Sequence, residues 1–321
     1  SATSDAITMA SDGTCTAKIT NYPHRNLFLN GAVNISQRGD SYASAYSYKA
    51  DQWYIFPTGS TTTRLTTSPP DGFTYYFRCP SATASILFTQ QIELEAQGKV
   101  GRYKGKTVTV SWYARSESSN TMYVDAAFKN ASGGGDYTSI VSGSGSAQSI
   151  TSSWARYSQT FTISATPHAN NKCFSVMIRT PSGQGGTLEA TGFQCEFGDT
   201  MTDFEHISIA EDLARCQRYY QVYVNPKLRG VRGSNVGDFH RMGMTLLNTL
   251  RADPTATWSG NQSVYDGSGT ATITGISAPY VDTVSFEMDS SVSGSLTVGT
   301  GSAIVAYTGG NEATLTLSAE L

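Results

Sequence analysis

An alternation of apolar and polar residues, with a period of two, runs through the middle of the chain. Between residues 107 and 115, the apolar Val108, Val110 and Trp112 alternate with more polar neighbours. Successive side chains of a β-strand point to opposite faces of a sheet, so this period predicts strands that bury one face. The pattern recurs in four further segments: 86–94, 122–128, 157–163 and 174–178. Several such strands in succession predict a β-sandwich.

The last strand of this series changes phase near its middle. Ala190 precedes Gly192, and Phe193, Cys195 and Phe197 follow it one residue out of step. An extra residue with a glycine beside it is typical of a β-bulge. We therefore predict one long closing strand that contains a bulge at Gly192.

The composition agrees with an all-β fold class and limits the partners. The 321 residues favour two or three domains, and the 31 glycines and 18 tyrosines are typical of strands joined by turns. The net charge is -3 and no run of Lys or Arg occurs, so no nucleic-acid partner is expected. No stretch of eighteen apolar residues is present, which predicts no membrane insertion.

The segment 203–221 carries the clearest helical pattern. Ser208 and Glu211 have the spacing of a capping box. An apolar stripe follows at helical spacing, formed by Ile209, Leu213, Cys216 and Tyr220. Short strands resume after this helix. The chain is thus predicted to contain an amino-terminal β-segment (1–23), a β-sandwich (24–202), a linking helix (203–221) and a smaller carboxy-terminal β-domain (222–321).

Residues 129–153 are rich in Gly and Ser, including Gly133-Gly134-Gly135. Such a segment suits either a linker between domains or a long surface loop. Because strands of the same style flank it on both sides, we predict a long loop within one domain.

Several fragments resemble a known family. The order RNLFLNG (25–31), ISQRG (35–39) and ADQWY (50–54) is similar to the opening of a β-sandwich domain of many bacteriophage tail-fibre and virion structural proteins. The blocks GKTVTVSWYARS (105–116) and FQCEFGD (193–199), with the helix that follows, resemble the later part of that domain. The resemblance covers roughly residues 5–221. It implies a jelly-roll β-sandwich related to carbohydrate-binding modules, followed here by one short helix and a smaller β-domain.

The resemblance also implies a role and partners. It implies a virion structural protein, foremost a tail fibre or receptor-binding protein that attaches the particle to bacterial surface glycans. The expected partners are two further copies in a homotrimer, other virion proteins and the glycan. The expected location is the tail or capsid surface of a virion assembled in the bacterial host cytoplasm. Two alternatives stay open: a capsid decoration, cement or head-fibre protein, and a glycan-cleaving tailspike.

Motifs of enzymes and metal sites are not found. The chain has no G-x-S-x-G, H-E-x-x-H or Walker sequence, its four histidines are scattered, and its five cysteines lack C-x-x-C spacing. We predict no enzymatic activity and no cofactor. The carboxylates on predicted strands that a glycan-cleaving alternative would use are Glu93, Asp125, Glu189 and Glu196. Asp199 and Asp203 are the candidates for a calcium site, although surface carboxylates are the simpler interpretation.

A glycan-binding patch is predicted on the polar side of the alternating strands. Sugars are recognised by aromatic rings that stack on their apolar faces and by amide, carboxylate or guanidinium groups that bind their hydroxyls. The outward residues with this chemistry are Gln91, Glu93, Tyr113, Arg115, Tyr123, Asp125 and Arg179. Rival candidates in the carboxy-terminal part are Trp258, Tyr265 and Tyr280.

Overall fold

The alternating segments form the strands of two antiparallel sheets in the first of two units of the chain. The computed structural model describes residues 7–9, 11, 15–17, 23–42, 47–56, 61–80, 85–94, 103–130, 137–167, 171–232, 239–260, 263–265, 270–293, 301–305 and 313–321. The sandwich unit comprises Ser1–Asn34, Ser41–Ser47 and Tyr54–Ile207. The carboxy-terminal unit comprises Ile35–Asp40, Tyr48–Trp53 and Ser208–Leu321.

The domain boundaries predicted at residues 23, 202 and 221 stay predictions. The structure adds that two short segments, 35–40 and 48–53, group with the carboxy-terminal unit. They lie inside the part of the sequence assigned above to the sandwich.

The strands of the first half of the chain are short near its beginning and long after residue 86. They are β1 (Ile7–Met9), β2 (Cys15–Ala17), β3 (Ser41–Tyr42), β4 (Ser47–Tyr48), β5 (Tyr54–Phe56), β6 (Thr62–Leu65), β7 (Tyr76–Cys79), β8 (Leu87–Glu93), β9 (Thr107–Ser116), β10 (Asn120–Lys129), β11 (Tyr137–Ser142), β12 (Gln148–Ile150), β13 (Ala155–Thr162), β14 (Cys173–Arg179) and β15 (Leu188–Phe197). β1 and β2 form the predicted amino-terminal hairpin.

The other strands form a front sheet and a back sheet. The front sheet has the order β11-β10-β14-β8-β5, with β4 at its edge and β12 paired to β10. The back sheet has the order β13-β9-β15-β7-β6-β3. Because consecutive strands often lie in different sheets, the chain crosses repeatedly between the two layers, as in a jelly roll.

The core of the sandwich unit lies between the two sheets. Val110 and Trp112 of β9 are fully buried, as the alternation predicts. The ring of Phe88 in the front sheet lies 6.0 Å from that of Phe77 and 5.4 Å from that of Phe193 in the back sheet, measured between centroids. The predicted fold class, an all-β jelly-roll sandwich with one helix, is confirmed.

The bulge predicted in β15 is also confirmed. The register of β15 against β9 shifts between Thr191 and Gln194, and Gly192 adopts a φ of 62°. The bulge turns main-chain groups away from the sheet. Residues 27–31 form hydrogen bonds with these main-chain groups. Leu27 N donates to Cys195 O at 2.7 Å, and Phe193 N donates to Gly31 O at 2.9 Å.

The loop predicted for residues 129–153 is wrong for the described part of that segment. Residues 137–150 form β11, a short 3-10 turn at Gly143–Ser146, and β12, all next to β10. A Cβ atom at Gly143 would lie 2.3 Å from Val124 O, so this glycine permits close packing rather than flexibility.

The carboxy-terminal unit contains the helix, a small sheet and a barrel. Its elements are α1 (Ile209–Gln217), β16 (Tyr220–Val224), β17 (Arg229–Arg232), β18 (Phe239–Thr245), β19 (Thr255–Ser259), β20 (Ser263–Tyr265), β21 (Thr270–Val281), β22 (Ser285–Ser293), β23 (Gly301–Val305) and β24 (Thr314–Ser318). The small sheet has the order β16-β24-β19, and the closed barrel has the order β17-β18-β22-β21-β20-β23. Met242, Phe286, Met288, Leu315 and Leu317 belong to one buried cluster of this unit.

The helix begins where the sequence predicts, but its buried face is different. Ser208 Oγ accepts a hydrogen bond from Glu211 N at 3.2 Å, which confirms the cap. The predicted apolar stripe is wrong at Ile209, whose side chain is 62% exposed, and it is confirmed at Cys216, which is buried. Asp212, which lies outside the predicted stripe, is buried as well. Within the described part of the chain, no helix has the length and hydrophobicity that a membrane crossing requires.

A buried ion cluster holds distant segments of the carboxy-terminal unit together. The guanidinium of Arg38 donates through Nη1 to Asp51 Oδ1 at 3.0 Å and through Nη2 to Glu320 Oε1 at 2.8 Å. Its Cζ atom lies 3.4 Å from the ring centroid of Tyr220. Segments 35–40 and 48–53 are thereby attached to β16 and to the residues after β24.

Candidate functional site

The front face is the outward side of the front sheet. On β14, Phe174, Val176 and Ile178 point into the core, so the intervening Ser175 and Met177 lie on the front face. The same parity applies to the neighbouring strands β8, β10 and β5. Alternate positions of four strands therefore build one continuous surface.

Strand register arranges this surface in rows. One row contains Tyr54, Thr89, Met177 and Asp125; a second contains Leu87, Arg179 and Tyr123; a third contains Gln91, Ser175 and Ala127; and a fourth contains Glu93, Cys173 and Lys129. The rows combine aromatic, hydroxyl, amide and charged groups, which is the chemistry of a polar ligand site.

Although the front face points outward, its side chains are recessed. Ser175 is fully buried, Thr89 is 2% exposed, and Tyr123 and Met177 are each 7% exposed. Polar residues in strands that cover a core are usually solvated on their outer side. Recessed polar residues on this face indicate a shielded surface.

Four polar atoms of the front face are buried and have no hydrogen-bond partner among the described residues. They are Thr89 Oγ1, Gln91 Oε1, Ser175 Oγ and Arg179 Nε. Most buried polar atoms in proteins are paired, so each unpaired atom needs an explanation. Four on one face, in adjacent rows, are best explained by groups that bind a polar ligand.

The charged groups of the front face are held in place. Arg179 donates through Nη1 to Asp125 Oδ2 at 3.3 Å and through Nη2 to Ser85 Oγ at 3.2 Å, and its Cζ lies 5.4 Å from the Tyr123 ring centroid. Asp125 Oδ1 accepts from Gly143 N at 3.1 Å. These contacts fix the guanidinium and leave its Nε for a ligand.

Partial burial also acts on two titratable groups at the margins of the front face. Burial lowers the pKa of the Lys129 ammonium and raises the pKa of the Tyr54 phenol. At neutral pH the Tyr54 hydroxyl is therefore un-ionised and can both donate and accept a hydrogen bond.

The structure brings together five of the seven residues predicted for glycan binding. Gln91, Glu93, Tyr123, Asp125 and Arg179 lie on the front face. The other two, Tyr113 and Arg115, lie on β9 in the back sheet.

Tyr113 and Arg115 have structural contacts there. The ring of Tyr113 lies 5.1 Å from that of Phe73, measured between centroids. Arg115 forms an ion pair with Glu189, and its Cζ lies 4.8 Å from the Trp154 ring. The two residues are thus separated from the other five by the core.

The patch predicted from the sequence lacks four members of the front face: Tyr54, Thr89, Ser175 and Met177. The period-two pattern that selected Gln91 applies to all four. What the sequence lacks is the pairing of β5 and β14 with β8, which places them beside Gln91.

The rival aromatic residues lie in the carboxy-terminal unit. Trp258 is half-buried and packs against the hydrophobic cluster of that unit. Tyr280 is exposed. The side chain of Tyr265 lies outside the described residues.

The described carboxylates do not form a suggested metal site. Thr200 Oγ1 donates to Asp199 Oδ1, and the main-chain oxygen of Asp203 accepts from Arg25 and Gln194. Within the described ranges, no group of three or more His, Cys, Asp or Glu side chains is arranged to hold a metal ion.

The carboxylate positions also bear on glycan cleavage. Glu189 is paired with Arg115, and Glu196 with Arg25 at 3.8 Å and with Thr202. Glu93 and Asp125 share the front face, but they lie two strands apart and four residues apart along the strands. That offset corresponds to roughly 16 Å between main chains. Glycosidase carboxylates lie about 5 to 9.5 Å apart.

Comparison with protein families identifies one related region. Residues 89–183 match the model of a family described as "Carbohydrate binding domain". This region begins in β8 and ends after β14. No curated protein matches the chain.

The solved structures that resemble part of this chain include two bacterial domains and one phage protein domain. The CBM22-1 xylan-binding domain of Paenibacillus barcinonensis Xyn10C is 10% identical and has a TM-score of 0.35, with 55% of this chain and 96% of that domain covered. The amino-terminal cellulose-binding domain of Cellulomonas fimi β-1,4-glucanase C is 15% identical and has a TM-score of 0.33, with 51% and 97% covered.

Tailspike protein 4 of bacteriophage CBA120 is 16% identical and has a TM-score of 0.35, with 55% of this chain and 22% of that protein covered. We draw no function from these three similarities.

Proposed function

We propose that this protein binds a carbohydrate on the front face. The observation that carries the proposal is the group of four buried polar atoms that have no partner among the described residues and lie on the same face as Tyr54 and Tyr123. All four atoms belong to residues within 89–183, the region that matches a carbohydrate binding domain.

The chemistry of the front face suits sugar hydroxyls, each of which both donates and accepts hydrogen bonds. Thr89 and Ser175 offer hydroxyls that do the same, Gln91 Oε1 accepts, and Arg179 Nε donates. A tyrosine ring supplies an apolar surface against the C–H face of a pyranose. The site would bind by positioning and would not need a catalytic group.

The finer part of the proposal is that the protein is a phage tail fibre or receptor-binding protein, trimeric, and attaches a virion to a bacterial surface glycan. The fragments RNLFLNG, ISQRG and ADQWY support it through their resemblance to virion structural proteins. The separation of Glu93 and Asp125 makes the glycan-cleaving alternative less suitable. A capsid decoration protein with the same sandwich is the remaining alternative.

Calorimetry with one front-face variant tests carbohydrate binding. Gln91→Ala removes an acceptor from the buried face and should lower the affinity about tenfold, roughly 1.4 kcal/mol. The titrants would be oligosaccharides from purified bacterial surface polysaccharides, together with xylan and cellulose fragments. The matched control is Gln148→Ala, because Gln148 on β12 bonds only to nearby Ser146 O among the described contacts. Equal affinity of both variants and the unmodified protein would refute the site.

An adsorption assay tests the attachment role. Soluble protein should bind host cells and block adsorption of the corresponding phage, and light scattering should give a trimer mass. Glycan binding without any effect on adsorption would favour the capsid decoration alternative.

A further inference from the structure

A row of chemically distinct residues crosses the barrel strands in the carboxy-terminal unit. Arg229 on β17 pairs with Gly243 on β18, Gly243 pairs with Glu287 on β22, and Glu287 pairs with Tyr280 on β21. Met242, Phe286 and Met288, at alternating positions, face the hydrophobic cluster, so this row lies on the opposite side of the strands from that cluster. The row contains a cation, a glycine, an anion and an aromatic ring in order, and its cation, anion and ring are exposed.

Gly243 is closely packed, because a Cβ atom there would lie 2.8 Å from Phe286 O and 2.9 Å from Glu287 Cγ. A groove of about 410 Å³ lies across these strands. Its lining includes Arg229, Gly243, Met244, Thr245, Ser285 and Glu287. The volume lies within the range of small-ligand sites.

The charged walls of the groove do not neutralise each other. Arg229 and Glu287 stand on strands two positions apart, about 10 Å between main chains. Among the described residues, neither side chain takes part in a hydrogen bond or an ion pair. Both are exposed and both line the groove. The guanidinium therefore offers donors on one side, and the carboxylate offers acceptors on the other.

We propose that this groove is a second saccharide-binding site, separate from the front face. An anionic ligand would be repelled by Glu287 and a cationic one by Arg229, so a neutral ligand suits both walls. A pyranose has hydroxyls on opposite sides of its ring and reaches both walls at once. Tyr280 does not line the groove, but it follows Glu287 in the row and is 55% exposed, so its ring offers a stacking surface to a saccharide that extends beyond the groove.

Saturation-transfer NMR with methyl glycosides of glucose, galactose, mannose, rhamnose and N-acetylglucosamine tests the proposal. At least one glycoside should bind, and Glu287→Gln, which keeps the shape of the side chain, should lower its affinity tenfold or more. Arg229→Gln should have a similar effect. Lys227→Gln changes an exposed cation outside the row and should leave binding unchanged. Binding of no glycoside, or binding indifferent to Glu287→Gln and Arg229→Gln, would overturn the second site.

The variant Gln91→Ala distinguishes binding in the barrel groove from binding on the front face. If Gln91→Ala abolishes all saccharide binding, the second site is wrong and the front face stands. If binding persists in Gln91→Ala and is lost in Glu287→Gln, the barrel groove is the binding site and the front-face proposal fails. Two sites that respond independently support both proposals.

Discussion

The hydroxyl groups of Thr89 and Ser175 are costly to the folded state. A buried polar atom without a partner costs about 1 to 3 kcal/mol relative to one that is paired. The front face carries four such atoms. Within the described part of the chain, these four atoms form no hydrogen bond that would stabilise the fold, and their presence is better explained by ligand binding than by folding.

Replacement of Thr89 separates the effect of its hydroxyl on the stability of the fold from the effect on saccharide binding. Thr89→Val keeps the shape of the side chain and removes an unpaired hydroxyl, so the free energy of unfolding should rise by up to about 1 kcal/mol. Saccharide affinity should fall at the same time. Urea denaturation and calorimetry measure the two quantities.

The control is Thr109, a buried threonine on the back sheet whose hydroxyl is satisfied. Its Oγ1 lies 2.9 Å from Thr160 Oγ1 and donates to Gly198 O at 2.9 Å. Thr109→Val should lower stability and leave affinity unchanged. If Thr89→Val destabilises the protein as much as Thr109→Val does, the hydroxyl of Thr89 has a structural partner and the interpretation is wrong.

Among the elements, β15 connects the back sheet to residues 27–31, which belong to the sandwich unit and precede β3 in the chain. Its bulge exposes main-chain groups that bond to residues 27–31. Gly192 makes this possible, since a Cβ atom there would lie 2.7 Å from both Phe73 Cζ and Tyr113 Cδ2. Both the positive φ and the close aromatic contact require glycine.

Gly192→Ala should therefore be strongly destabilising, by about 2 to 4 kcal/mol, because it combines backbone strain with overpacking. Gly183→Ala is the matched control, since Gly183 has a φ of 81° but open space around its Cα. That variant should show only the backbone effect, roughly 1 kcal/mol. Thermal or urea unfolding measures both. Similar losses in the two variants would show that the contact with Phe73 and Tyr113 is not restrictive.

The alternation of residues predicts the strands well but not their neighbours. Val110 and Val124 both lie in the core, as their patterns predict, yet β9 and β10 belong to different sheets. Tyr113 and Tyr123 have the same local pattern, and only strand pairing places one on the back sheet and the other on the front face. Sheet membership is a long-range property that no local period contains.

Two local predictions failed for a related reason. Ile209 belongs to the predicted apolar stripe, but a helix of nine residues presents only a narrow buried face, which holds Cys216 of that stripe and Asp212 from outside it. Gly143 was interpreted as a loop residue, whereas its neighbours Val124 and Gln159 show that it allows close packing. In both cases tertiary contacts decide the role of the residue. The unpaired atoms of the front face are likewise visible only once the strands are paired.

At the scale of the molecule, the buried ion cluster of Arg38, Asp51 and Glu320 links the stability of the carboxy-terminal unit to pH. Burial raises the pKa of the Glu320 carboxyl to about 7, against the opposing effect of Arg38 and Arg251, while Asp51 adds to the rise. The folded state thus holds a proton that the unfolded chain loses near pH 4.5. For an acid with a raised pKa, stability is greatest below the unfolded value and falls as the pH rises towards the folded value.

We therefore expect the free energy of unfolding of this unit to fall by about 3 kcal/mol between pH 4.5 and 7, from this group alone, and to level off above pH 7. Glu320→Gln keeps the shape and most hydrogen bonds of the side chain and should remove this dependence. Urea unfolding across the range, followed by tryptophan fluorescence, measures the difference. Parallel pH profiles for the variant and the unmodified protein would rule out Glu320 as the responsible group.

The same ion cluster limits which parts of this protein can be exchanged with those of a related protein. Segments 35–40 and 48–53 belong to the carboxy-terminal unit but are encoded within the sandwich. Trp53, fully buried in the complete chain, and Arg38 would lose their surroundings if the chain were cut after residue 207. A recombination event at that point would replace Glu320 by a residue of a foreign carboxy-terminal sequence, and Arg38 would lose this ion-pair partner. Exchange of the carboxy-terminal unit between related genes therefore requires both segments to move together with it.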